Sequence, residues 1–193
     1  MNLEDTTGER CSLREHLRAA TAAMHDRLDA AVTMLDITAA DDYRRFLSLQ
    51  LMARDPIEAW LSAQDTAFGP PPALTGLIRD DLDELGGPVV AGVATFAPSS
   101  DADAIGAYWA IAGSSMGNRT MHVRLVRVAS GLPARFLGDA ATVRYWQALK
   151  PRLDAVSTAA EAAPAVSCAL AVFATFLSAA EQCLPYGRHG EAA

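Results

Sequence analysis

Apolar residues recur along this chain at steps of three and four, the spacing that gathers them on one face of an α-helix. The first stripe is Leu13, Leu17, Ala20, Met24 and Leu28. It begins at Ser12-Leu13-Arg14-Glu15, a capping box in which hydroxyl and carboxylate satisfy amides that lack helical partners. A second helix is predicted from near Asp41, with Tyr43, Phe46, Leu47, Gln50 and Leu51 on one face. Pro56 is expected to kink or break it before Ile57, Trp60 and Leu61. After a Gly69-Pro70-Pro71-Pro72 loop, a third helix carries Leu74, Leu77, Ile78, Leu82 and Leu85 and stops at Gly86-Gly87-Pro88. Val89 to Phe96 reads as a loop. Ser100 or Asp101 caps a fourth, long helix reaching about Ala129, interrupted by Gly113 and Gly117 and closed by Gly131-Leu132-Pro133. A fifth follows Asp139, with Trp146, Leu149 and Leu153 inward and a kink at Pro151. The last runs from about Pro164 to Leu184 through Leu170, Phe173, Phe176 and Leu177.

This pattern predicts an all-α, single-domain helical bundle over residues 12–186, with a flexible N-terminus at 1–11 and a disordered tail at 187–193. Composition agrees. Hydrophobic residues make up 51% of the 193, with alanine foremost, and β-branched and aromatic residues are too sparse for a large sheet. A formal net charge of -7 argues against nucleic acid as a partner. Ala163 to Ala180 is free of charge but built largely of Ala, Ser, Thr and Pro between two glutamates, so it reads as a core helix rather than a membrane span. Cys11, Cys168 and Cys183 show no metal-ligand spacing and read as reduced thiols. With an acidic, polar N-terminus, they place the protein in the cytoplasm.

Candidate chemistry sits in two places. On the first helix, Arg18 lies about 20° and Asp29 about 40° from His25, so a guanidinium, an imidazole and a carboxylate share one face. That order suits an iron porphyrin: a ring nitrogen for the iron, a carboxylate for the other N–H, a cation for a propionate. Solvated surface charges would produce the same line by chance. The second place is Trp109-Ala110-Ile111-Ala112-Gly113-Ser114-Ser115-Met116-Gly117-Asn118. Each helical glycine costs roughly 1 kcal/mol relative to alanine, which calls for a reason. Both are expected on one side of the helix, together with Trp109 and Thr120, serving either a flat ligand or tight helix packing. His122 is turned away from both glycines and is a poor second iron ligand, so iron held by His25 would keep the opposite coordination position open, as oxygen chemistry requires. His16, on the opposite face of the first helix, is expected to be solvated.

These residues resemble the bacterial heme oxygenases, especially the biliverdin-producing type associated with bacteriophytochromes. The likeness runs through nearly the whole chain in order. LRAATAAMHDRLD (Leu17 to Asp29) is similar to the family's iron-ligand helix, and YRRFL (Tyr43 to Leu47) to its second-helix signature. LIRDDLDELG (Leu77 to Gly86) and RFLG (Arg135 to Gly138) also fit, and YWAIAGSSMGNR (Tyr108 to Arg119) is similar to its glycine-rich distal helix. The resemblance implies that heme is both substrate and cofactor. It is opened by O2 and electrons from a ferredoxin or flavoprotein reductase, giving biliverdin, CO and ferrous iron, with a bacteriophytochrome as biliverdin acceptor. It places His25, Arg18, Asp29, Trp109, Met116, Thr120, Arg124 and Phe173 around the heme, and Gly113, Ser114, Gly117 and Asn118 at the reaction.

Two positions differ from the family's pattern: Asn118 stands where a second glycine is usual, and Ala112 where an acidic residue is frequent. They keep open a second reading, a degenerate member that holds heme or a bilin without ring opening, as carrier, sensor or regulatory partner. A helical module acting on another small molecule is the third. The last helix has no Lys or Arg between Asp154 and Tyr186, so propionates would fall to Arg18, Arg14 or Arg124.

Overall fold

In the computed structural model, which describes residues 10–184 apart from 67, 91, 129 and 130, the Ser12 capping box forms as the sequence predicts. Ser12 Oγ accepts from Glu15 N at 3.3 Å, and the Glu15 carboxylate accepts from Ser12 N at 2.8 Å. Helix α1 follows over Leu13–Thr33. The same device recurs at Thr158 and Glu161, starting the last helix at Ala159 rather than near Pro164. The segments just before these two caps pair as a short antiparallel ladder, β1 (Cys11–Ser12) with β2 (Val156–Ser157), in the register Cys11 to Ser157. Cys11 therefore belongs to the folded frame rather than to the flexible terminus expected for 1–11; residues 1–9 and the tail at 187–193 lie outside the described residues.

Between these ends lie α2 (Ala40–Ser62), α3 (Thr75–Glu84), α4 (Ala104–Gly113), α5 (Ser115–Arg127) and α6 (Ala141–Leu153), and α7 (Ala159–Cys183) completes the bundle. Pro56 does not break α2. The carbonyl it leaves without a helical donor, Met52 O, accepts from Ala94 N at 3.2 Å, so the proline's defect docks the irregular connector at 89–96. Val89 N donates to Ser48 Oγ (3.0 Å) and Thr175 Oγ1 donates to Thr95 O (3.2 Å), pinning that connector from both sides. α3 ends on Gly86 and Gly87 at φ +87° and +86°, where Gly87 N returns to Leu82 O at 2.8 Å. The long fourth helix of the sequence reading is two helices. It starts at the Asp103 cap, not at Ser100 or Asp101, and divides at Ser114.

α7 is the hub, packed against α1, α2 and α4. It is long and apolar enough to cross a membrane, but 56% of its most apolar window is buried against the other helices, as a core helix requires. α1 and α7 start from the same ladder and run parallel. α4 runs the same way: Asp103 N donates to Pro164 O, and Gly106 lies on Ala165 and Ala169. A Cβ on Gly106 would stand 1.9 Å from Ala165 O, so only glycine permits this approach of the two backbones. Two buried clusters result. One surrounds α7, α4 and α6; the other gathers Leu35, Tyr43, Phe46, Ile78, Leu125 and Phe136.

Gly106→Ala should destabilise the protein by about 3 kcal/mol or more, because backbone must move. Gly117→Ala, whose new methyl meets nothing within 4 Å, should be neutral or stabilise by up to about 1 kcal/mol. Urea unfolding checks both. Burial pushes the Cys168 and Cys183 thiols up to about 11. A group whose folded pKa is raised contributes fully below its unfolded value, so stability should fall as pH rises from about 8.5 to 11. Melting curves across that range should show the fall, and it should be shallower in Cys183→Ala.

Candidate functional site

Because α1 and α7 are zipped at their starts, His25 and Phe173, 13 and 15 residues beyond Ser12 and Thr158, arrive at one level. Their rings lie 6.0 Å apart, and Phe173 is 6.3 Å from Trp109 on α4. Three rings on three helices form a row with His25 at the surface end. Its side chain is 56% exposed, and Nδ1 is 3.2 Å from Asp29 Oδ2, the i,i+4 pairing expected from the sequence. An Nδ1–H donated to Asp29 leaves Nε2 with its lone pair outward. Arg18, two turns earlier, is exposed and has no ion-pair partner among the described residues. Arg14 is committed to Asp154 (3.0 Å) and Arg124 to Asp36 (3.0 Å).

α5 stands opposite. Its far end meets the end of α1: Val32 and Leu35 share a cluster with Met121 and Leu125, and the Arg124–Asp36 pair closes the rim. Along the chain His25 lies 11 residues before Asp36, and Gly117 seven before its partner Arg124. Of the 13 residues of α5 only Ser115 and Leu125 are buried, with Asn118, Met121 and His122 half-buried, so most of the helix faces solvent. Cavities of about 580 and 90 Å³ lie elsewhere, the larger between α1 and α7 around His16 and Ala163, and neither borders His25 or Gly117.

The break at Ser114 parts the two glycines expected on one side. A Cβ on Gly113 would rest 3.6 Å from the Trp146 ring of α6, whereas the Gly117 position faces nothing within 4 Å. Gly117 thus presents bare backbone to open space, while Gly113 serves packing. Met116 is 64% exposed and about 100° around the helix from Gly117, so it is not brought to that face. Thr120 is exposed and donates its hydroxyl to Met116 O (3.2 Å); Asn118, half-buried, continues the turn through its amide to Ser114 O (3.1 Å). His122 lies against Gly138, away from His25. His16, expected to be solvated, is half-buried with Nε2 3.1 Å from Ser157 O and 3.3 Å from Cys11 Sγ.

A buried arginine escaped the sequence reading. Arg54 on α2 is fully buried, with Nε donating to Gln50 Oε1 (3.1 Å) and Nη2 to Ser114 Oγ (2.9 Å). Its guanidinium lies 5.2 Å from the centre of the Phe136 ring, and Nη1 is 3.7 Å from Glu58 Oε1. Burial draws its pKa down while Glu58 opposes that shift. The Glu58 carboxylate also accepts from Leu74 N and Thr75 N at the start of α3. A signal was present: Tyr43, Leu47, Gln50, Arg54, Ile57 and Leu61 follow at steps of four and three, so Arg54 stands inside the apolar stripe. Ser114 spends its hydroxyl here, accepting from Arg54 and donating to Ile111 O at 2.8 Å.

No protein-family model matches the chain, and no curated protein matches it in sequence. Among solved structures, a heme oxygenase from Neisseria meningitidis, determined with NO and CO bound, is similar to it with a TM-score of 0.67. The match covers 94% of this chain and 96% of that one at 21% sequence identity. The seven helices described above are therefore arranged in the all-α heme oxygenase fold.

Proposed function

We propose that this protein binds heme between α1 and α5 and opens it with O2 and external electrons to biliverdin, CO and ferrous iron. The observation that carries the reading is the half-exposed His25 imidazole, paired with Asp29, on a fold shared with a heme oxygenase. The residues present fit the group. A half-exposed imidazole can ligate iron through Nε2, and the Phe173–Trp109 row beside the ring offers an aromatic surface to a porphyrin. Heme supplies an iron centre able to bind and reduce O2.

The chain's own contribution is placement. Asp29 holds the Nδ1 proton, which fixes the tautomer and makes Nε2 the more basic donor. Arg18 is the uncommitted cation on the His25 face, available to a propionate, whereas Arg14 and Arg124 are engaged. Gly117 presents bare backbone to open space, which would let a bound heme approach that helix. The electrons come from an external donor protein of the ferredoxin or flavoprotein reductase class, the biliverdin passes to an acceptor such as a bacteriophytochrome, and the work is done in the cytoplasm. Asn118 and Ala112 favour a second reading, in which heme or a bilin is held without ring opening.

Hemin, a reductant and air should convert the bound heme spectrum to that of biliverdin with release of iron. A stable heme spectrum under turnover selects the second reading, and absence of hemin binding defeats both. Arg18→Ala should weaken hemin affinity about fivefold, and Arg14→Ala should change it by less than about twofold. Fluorescence quenching titrations distinguish them; equal losses would place the propionates elsewhere.

A further inference from the structure

We infer that Arg54 is the positioning residue for α5: its hydrogen bond to Ser114 Oγ sets the direction in which that helix leaves α4. α5 has few other restraints. Ser115 and Leu125 are its only buried residues, Met116, Val123 and Val126 look outward, and no side chain caps its first turn. At its far end it is held by Leu125 and Met121 in an apolar cluster, by His122 against Gly138 and by the surface pair of Arg124 with Asp36. At its near end, where the Trp146 ring of α6 lies beside Gly113, the part-buried Arg54–Ser114 bond at 2.9 Å is a side-chain hydrogen bond from another helix.

The energetics point the same way. A fully buried guanidinium whose nearest carboxylate is 3.7 Å away, and whose Nη1 has no hydrogen-bond acceptor, is a poor route to stability; an apolar residue of similar volume would pack more favourably. What the arginine adds is direction. Gln50 fixes the plane of the guanidinium through Nε and the Phe136 ring supports it, so Nη2 can meet Ser114 from one angle only. Ser114 passes the restraint to the last turn of α4 through Ile111 O. The bond therefore fixes the angle between two helices and, with it, the distance from Gly117 and Asn118 to α1. Its bearing on heme rests on the function proposed above, but the positioning itself does not.

The test uses the whole heme-free protein and amide hydrogen exchange. Ser114→Ala removes the acceptor while leaving the Arg54–Glu58 pair, and Arg54→Lys keeps the charge but cannot reach Gln50 and Ser114 together. In Ser114→Ala, amides of residues 118–124 should exchange ten- to hundredfold faster than in the wild type, with those of α1 and α7 within about twofold. Ser114→Thr, which restores a hydroxyl, should bring the rates back. Unchanged exchange in Ser114→Ala overturns the assignment, and so does equal acceleration throughout the molecule, which marks a merely structural role. Arg54→Lys, if folded, should match Ser114→Ala. A parallel hemin titration keeps the two ideas apart: a wild type that binds no hemin defeats the functional reading, while the exchange rates still decide this one.

Discussion

The register of α1 on α7 is the constraint from which the site follows. Two capping boxes and a two-residue ladder start both helices at one level, and helical geometry then carries His25 to the height of Phe173. Neither helix could slide by a residue without separating Cys11 from Ser157 and turning the imidazole away from the aromatic row. The alanine-rich face of α7 and the absent side chain at Gly106 let α4 approach closely enough to place Trp109 behind Phe173. One wall of the site thus rests on the packing of α1 and α4 against α7.

The opposite wall is built differently. α5 presents most of its surface to solvent and takes its course from a hydrogen bond at one end and a small apolar contact at the other. Elements with few buried contacts are those that open at low free-energy cost. Under the proposed function, α1 would fix the ligand through its oriented imidazole, and the more exposed α5 would accommodate it.

What the sequence disclosed was what lies within one helix. The Ser12 cap and the His25–Asp29 pair are local, so three- and four-residue spacing was enough to find them. Residues whose role depends on a distant partner were misread. Pro56 looked like a helix break because the acceptor it frees, Met52 O, is used by Ala94, 42 positions after Met52. Pro164 hid the Thr158–Glu161 cap by suggesting a later start. The two glycines were set on one face by assuming an unbroken helix, whereas Ser114 interrupts it. Arg54 was passed over because a charge in a helix is ordinarily solvated, and only the fold brings Ser114 and Phe136 to it.

The central claim is that His25 Nε2 binds heme iron across this opening, and resonance Raman spectra of the reduced heme complex test it most directly. The account predicts an iron–imidazole stretching band in the wild type that disappears in His25→Ala. The same band in both proteins, or a wild type whose reduced heme shows none, would contradict it.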